Sequence, residues 1–279
     1  MSLPIVDYTA KDAPQRFVKS LKETGFAILV NHPIQQSLVS SIYHNWQSFF
    51  NAQEKYNFVF DKEKQDGYFS PLVSETAKSH TKKDIKEFYH IYPWGRIPET
   101  LEEEILNYYQ VASALASELL DWVEEHSPQQ VADNYSEALS AMIKDTPNTL
   151  LRVLHYPPLI GDEETGAIRA AAHEDINLLT ILPAANEAGL QVRSQEGHWL
   201  DVPSDFDNLI VNIGDMLQEA SDGYFPSTTH RVINPVGDAN RRSRISLPLF
   251  LHPRSEVKLS EKHTQASYLS ERLSELGIK

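Results

Sequence analysis

The tripeptide His173-Glu174-Asp175 carries the strongest chemical signal in the chain. Along an extended strand, residues two apart point to the same face. The spacing therefore predicts an imidazole and a carboxylate side by side, with Glu174 turned the other way. A third ligand from another strand would complete one face of an octahedron. His230 is best placed for this, because it precedes Val232-Ile233-Asn234-Pro235, which reads as a strand running into a turn. Two His and one carboxylate suit Fe(II), Mn(II) or Zn(II), and leave other positions open for a bidentate co-substrate and dioxygen. The tripeptide alone recurs by chance, so its weight comes from its surroundings. Among the other histidines, His155 shares a strand with Tyr156, and only one of the two can face inwards. His198 sits in a hairpin and His252 precedes Pro253 at a strand end. His32, His44, His80, His90, His126 and His263 lie outside the β region. As ligands, all of these read instead as surface or hydrogen-bonded histidines.

A second element is Arg244-Ile245-Ser246, where the same period places a guanidinium and a hydroxyl on one face. The planar fork of Arg pairs with a carboxylate in bidentate fashion. Leu247, Leu249, Phe250 and Leu251 follow, so Arg244 and Ser246 fall within the strand and Arg241 in the polar turn before it. The pair is suited to gripping the far carboxylate of a dicarboxylate.

Composition narrows the partners. The formal net charge of −14 includes no basic face of the kind nucleic acid requires. An anionic ligand would therefore need a local cation. The absence of cysteine excludes disulfides, thiolate catalysis and iron–sulfur clusters. No apolar run reaches the length of a membrane span. The polar N-terminus has no signal-type apolar region, which points to the cytoplasm. Oligomeric state is not legible.

The elements that must position these residues follow from periodicity. Pro4 to Tyr8 reads as a strand, Asp12 as the cap of a helix through Thr24 ended by Gly25, and Phe26 to Val30 as a buried strand. Ile34, Leu38, Ile42, Trp46 and Phe49 recur at helical spacing and read as core. Residues 61–84 are polar and irregular, as in a functional loop. Lys86 to Tyr92 is strand-like, 99–126 helical, and a second helix is expected through about Ile143. From Thr149 to His252 short strands alternate with turns, which suggests a sandwich or barrel. Thr264 to Leu276 returns to a helix.

In this order the residues resemble the Fe(II)- and 2-oxoglutarate-dependent dioxygenases of the isopenicillin N synthase-like type. Arg152 to Pro158 resembles the family's strand into the barrel, and Ala172-His173-Glu174-Asp175 with Leu179-Thr180 its metal motif. Gly189 to Val192, Gly197-His198-Trp199, Asp201-Val202-Pro203, Asn212 to Leu217, Ser227 to Val232 and Arg244 to Phe250 match as well. Lys86-Glu87-Phe88 resembles an element near the family's substrate pocket. The resemblance implies an α+β chain, mainly β at its core. That core is a double-stranded β-helix (jelly roll) at 149–252, supported by a mostly helical part with edge strands at 1–148 and a C-terminal helix at 253–279, all in one oxygenase domain. It implies His173, Asp175 and His230 as iron ligands, and Arg244, Ser246 and Tyr156 as holders of 2-oxoglutarate. Fe(II), 2-oxoglutarate and O2 would together hydroxylate, desaturate or cyclise a small organic substrate. Residues 61–84, with Tyr68, Phe88 and His90, are expected at its pocket.

Departures from the pattern concern the pocket's shape: Asn177 after the metal motif, a stretch from Pro183 to Ala188 without paired glycines, Asp222-Gly223, and a long turn from His230 to Arg244. Three other readings stay open. An oxidase of the same family would use iron and dioxygen without 2-oxoglutarate. A non-catalytic jelly roll would only bind a small molecule. A zinc hydrolase would need a general base at the metal, and Glu174 is expected to face away.

Overall fold

Period-two alternation builds two sheets around a shared interior. The structure, a computed structural model, describes residues 3–71, 84–161 and 163–275. In chain order the elements are β1 (Ile5–Asp7), α1 (Ala13–Thr24), β2 (Phe26–Val30), α2 (Gln36–Asn51), β3 (Gly67–Phe69), β4 (Glu87–Ile91) and α3 (Glu99–Glu125). Then come α4 (Gln129–Ala132), α5 (Leu139–Met142), β5 (Leu150–Tyr156), β6 (Ala170–His173), β7 (Leu179–Pro183), β8 (Leu190–Arg193) and β9 (Trp199–Asp201). The chain closes with β10 (Leu209–Ile213), α6 (Asp215–Ala220), β11 (His230–Val232), β12 (Arg244–Ser246), β13 (Leu249–Phe250) and α7 (Gln265–Glu275).

The larger sheet runs β1-β2-β10-β7-β13-β5-β4-β3, with β12 also paired to β5; the smaller runs β6-β11-β8-β9. The strands of the larger sheet are apolar on both faces, because both are covered. One face packs on α1, α2 and α3 through Ala27, Leu29, Val153, Ile181, Val211 and Ile245. The other face, with Phe26, Ile28, Phe88, Leu154 and Ile210, meets Val192 and Val232 of the smaller sheet in the jelly-roll interior.

Two expectations change. Asp12 stands at the N-terminus of α1 but its side chain makes no capping hydrogen bond. The expected second helix is two separate four-residue helices, α4 and α5, because the turn at 133–138 interrupts it. Of the irregular segment, 72–83 lies outside the described residues, as does Leu276 at the tail. Gly25 ends α1 as expected. Its φ of 72° is left-handed, and a Cβ there would lie 2.2 Å from Thr228 Oγ1, so only glycine fits.

Candidate metal centre and co-substrate cleft

The antiparallel pairing of β6 and β11 places His173 directly opposite His230. Their ring centroids are 4.4 Å apart. Asp175 joins them differently from the simple alternation argument. β6 ends at His173, so Asp175 lies past the strand, where its carbonyl accepts the Asp215 N–H at 2.7 Å. Asp175 Oδ1 lies 3.9 Å from His173 Nε2 and 3.7 Å from His230 Nε2. One ligand atom from each of the three residues lies within 4.8 Å of the others, the geometry of a metal site.

The atoms facing away from that point are each engaged. His173 Nδ1 bonds to the Ala171 carbonyl at 2.7 Å and His230 Nδ1 to the Thr228 carbonyl at 3.1 Å. A proton on Nδ1 leaves the Nε2 lone pair for a metal. Asp175 Oδ2 accepts from the Thr180 hydroxyl at 2.6 Å and from Asn212 Nδ2 at 2.8 Å. Thr180 and Asn212 are register partners across β7 and β10. Asn177 braces Thr180 in turn, with Nδ2 3.0 Å from its hydroxyl. Burial pushes His173 down to about 4, with His230 adding to the effect. Burial alone would raise the Asp175 carboxyl, but the two imidazoles and its two donors hold it below its ordinary value. Neutral imidazoles and an ionised carboxylate are what Fe(II) requires. Glu174 faces away, accepting from the Thr229 hydroxyl at 2.6 Å.

The second constellation lies in the same interior. Tyr156 of β5 pairs in register with Arg244 of β12, and Tyr156, Arg244 and Ser246 are all buried. The Arg244 guanidinium carbon lies 5.2 Å from the Tyr156 ring centroid. Arg244 Nε donates to the Glu187 carbonyl at 3.0 Å, while Nη1 is buried without a partner. A buried, unpartnered guanidinium N–H fits a carboxylate.

The residues expected at the substrate pocket separate. Phe88 and His90 face the interior, their rings 4.5 and 4.4 Å from Phe69. Arg152 donates from Nε to His90 Nε2 at 2.9 Å and lies over Phe88 at 4.5 Å. Tyr68 is a correction. It pairs with Tyr89 in register, and alternation turns both to the helical face, in the core with Trp46 and Phe50. There its hydroxyl donates to Glu87, which also takes Lys55 at 2.9 Å and His155 at 2.7 Å. His155 is thus a satisfied core histidine, and Tyr156 is the one that faces inwards.

Sequence reasoning placed Thr180, Asn212, Lys86 and Arg152 within matching motifs but gave none of them an individual role. Lys86 is buried beside the metal strand, in an ion pair at 2.8 Å with Asp84, which accepts the Ala171 N–H at 2.9 Å. Alternation along β5 from Tyr156 back to Arg152 was the one available signal. The Thr180–Asn212 pairing is set by a register that no local pattern encodes.

The pattern of the 2OG-Fe(II) oxygenase superfamily matches residues 147–253. That of the non-haem dioxygenase in morphine synthesis N-terminal region matches residues 3–124. A solved structure from Shewanella oneidensis described as an oxygenase superposes with a TM-score of 0.91 at 60% identity, covering 100% of both chains. A 2OG-Fe(II) oxygenase family protein from Caulobacter crescentus gives 0.81 at 26% identity, covering 98% of this chain and 99% of that one. Jasmonate-induced oxygenase 4 of Arabidopsis thaliana is 30% identical over 92% of this chain and 74% of its own length. The fold and the His-Asp-His site define a non-haem iron dioxygenase. The chain belongs to the 2OG-Fe(II) oxygenase superfamily. It is accordingly an oxidoreductase that uses Fe(II), 2-oxoglutarate and O2 to oxidise a small organic molecule. No described helix is long and apolar enough to cross a membrane.

Proposed function

We propose that His173, Asp175 and His230 hold the iron, that Arg244, Ser246 and Tyr156 hold the far carboxylate of 2-oxoglutarate, and that Phe88 and His90 line the substrate chamber, all within one oxygenase domain. The observation that carries this reading is the arrangement of donors. Three ligand atoms converge with their outer atoms already bonded, and Arg244 Nη1 is buried in the same interior without a partner. When bound, iron and 2-oxoglutarate supply the oxidation of a C–H bond by dioxygen, with release of succinate and carbon dioxide.

The protein's own residues bind and orient. The Ala171 and Thr228 carbonyls set the tautomers of the two histidines. Thr180 and Asn212 aim the carboxylate. Tyr156 and Arg244 fix the end of the co-substrate remote from the metal, and the covered interior excludes water. Glu174, bonded to Thr229, is not placed to serve as the base a zinc hydrolase would need. The unpartnered Arg244 nitrogen favours use of 2-oxoglutarate over an oxidase reaction without it. A non-catalytic binder would have no need of three correctly braced ligands.

The test is a screen of small organic molecules for substrate-stimulated succinate release, with Asp175→Ala as the control. The expected outcome is stoichiometric succinate with a product hydroxylated, desaturated or cyclised, and loss of turnover in the variant. Full 2-oxoglutarate consumption by Asp175→Ala would overturn the assignment of the ligands.

A further inference from the structure

Arg169 is one of the largest side chains in the protein with no exposed surface, at 0%. An arginine is almost never buried so completely unless a partner neutralises it. It lies one residue ahead of β6, four before His173, and the period of two carries it to the same side of that strand. Its backbone N–H is held by Asn234 Oδ1 at 3.0 Å, which fixes its place beside β11. One side-chain nitrogen, Nη2, donates to the Arg242 carbonyl at 3.0 Å. Nε and Nη1 are buried with no partner.

The charged and phenolic groups that act on Arg169 are those that surround Arg244. Burial pushes the Arg169 guanidinium down to about 10, and Arg244 repels it while Tyr156 and Glu187 offset part of that. Tyr156 and Glu187 also act on Arg244. The Glu187 carboxylate is committed to Arg242 at 3.1 Å. At neutral pH both guanidiniums stay protonated. The interior therefore holds two buried cations with three unpartnered nitrogens between them: Arg169 Nε, Arg169 Nη1 and Arg244 Nη1. Among the described residues, no carboxylate pairs with either. Such a pair is costly unless an anion accompanies it.

We infer that Arg169 is a second cation for the far carboxylate of 2-oxoglutarate, so that the co-substrate is gripped by two guanidiniums from opposite sheets. The inference rests on the co-substrate reading above. It makes Arg169 a binding residue, with a consequence for selectivity. A 2-oxo acid that can reach the metal but lacks the far carboxylate leaves both arginines unneutralised.

The experiment is calorimetric titration of the Mn(II)-loaded full chain with 2-oxoglutarate and, separately, with 2-oxovalerate, which lacks the far carboxylate. Wild type is compared with Arg169→Met. Loss of charge-assisted hydrogen bonds predicts at least a roughly tenfold weaker affinity for 2-oxoglutarate, with that for 2-oxovalerate unchanged. Arg169→Gln retains an amide for the Arg242 carbonyl and gives the same comparison if the Met variant does not fold. An unchanged affinity for 2-oxoglutarate, or an equal loss for both ligands, overturns the role of Arg169 while leaving the co-substrate reading intact. A wild-type protein that does not prefer 2-oxoglutarate to 2-oxovalerate overturns both.

Discussion

The carboxylate of Asp175 offers one oxygen to the metal point because the other is occupied twice, by Thr180 and Asn212. Outer-shell donors of this kind typically affect metal affinity or activity by about 10- to 100-fold. Thr180→Val keeps the shape of the side chain and removes the donor. It is expected to weaken Fe(II) binding by about that factor, as read by competition with a chromogenic chelator, and an unaltered affinity would show that Asn212 suffices. At this scale the sequence was legible where a residue type is rare and its neighbours are periodic. His173, Asp175, His230 and the Arg244/Ser246 pair stand out for that reason. Arg169 did not, since a single arginine ahead of an alanine run has no local signature of burial. Tyr68 was misplaced because an aromatic in a short strand fits either face equally well, and the pairing of β3 with β4 decides.

At the scale of elements, one close approach holds the turn beside the site and one polar cluster ties the larger sheet to the helices. A Cβ on Gly214 would lie 2.2 Å from the Asn177 carbonyl oxygen, at the turn that follows Asp175. Gly214→Ala should therefore shift that turn, lowering the melting temperature together with metal affinity. A loss of stability with full metal affinity would show that the two are uncoupled. On the other face of the larger sheet, Glu87 joins β4 to β5 and to Lys55. Burial alone would raise its carboxyl, but hydrogen bonds from His155, Tyr68 and Lys55 hold it below its ordinary value. Glu87→Leu leaves the part-buried Lys55 with only the Phe50 carbonyl, which accepts from Nζ at 2.6 Å, and removes the acceptor that His155 and Tyr68 share. A loss of about 1–3 kcal/mol is expected in urea unfolding, and less than about 0.5 kcal/mol would show that water replaces the carboxylate. Strands were read well because both sheet faces impose alternation. Helix ends were read less well, since Asp12 has the right residue type at a cap but not the geometry, and α4 and α5 are too short for periodicity to resolve.

The whole molecule registers pH through a partly buried histidine near its centre, His252. Burial pushes His252 down to about 4, against about 6.5 in an unfolded chain. The folded state therefore excludes a proton that the unfolded state accepts. The stability involved is fully present above about pH 6.5 and is lost as pH falls towards 4. His252→Asn should flatten the acid limb of the metal-free protein by on the order of 1–3 kcal/mol between those limits. An unchanged limb would place the acid sensitivity elsewhere. The overall fold class was legible because the order of strands, turns and motifs is preserved along the entire chain. The division between an interior face and a helical face was not, because it depends on which strands pair.

The smaller sheet shows to solvent a face of polar and cation–π contacts, Gln191 to Asp201 and Arg231 over Trp199, and among the described residues no helix covers it in the way α1, α2 and α3 cover the larger one. Two of the proposed metal ligands, His173 and His230, sit on its strands, while the third, Asp175, is braced by Thr180 and Asn212 of the larger sheet. A bound ion would thus be a rivet between the two halves of the sandwich, fastening the less supported half to the better supported one. Chelation should then speed amide hydrogen exchange in β6, β8 and β11 while leaving β2 and β10 as slow as before, so that iron supply governs the mechanical integrity of the protein as well as its chemistry.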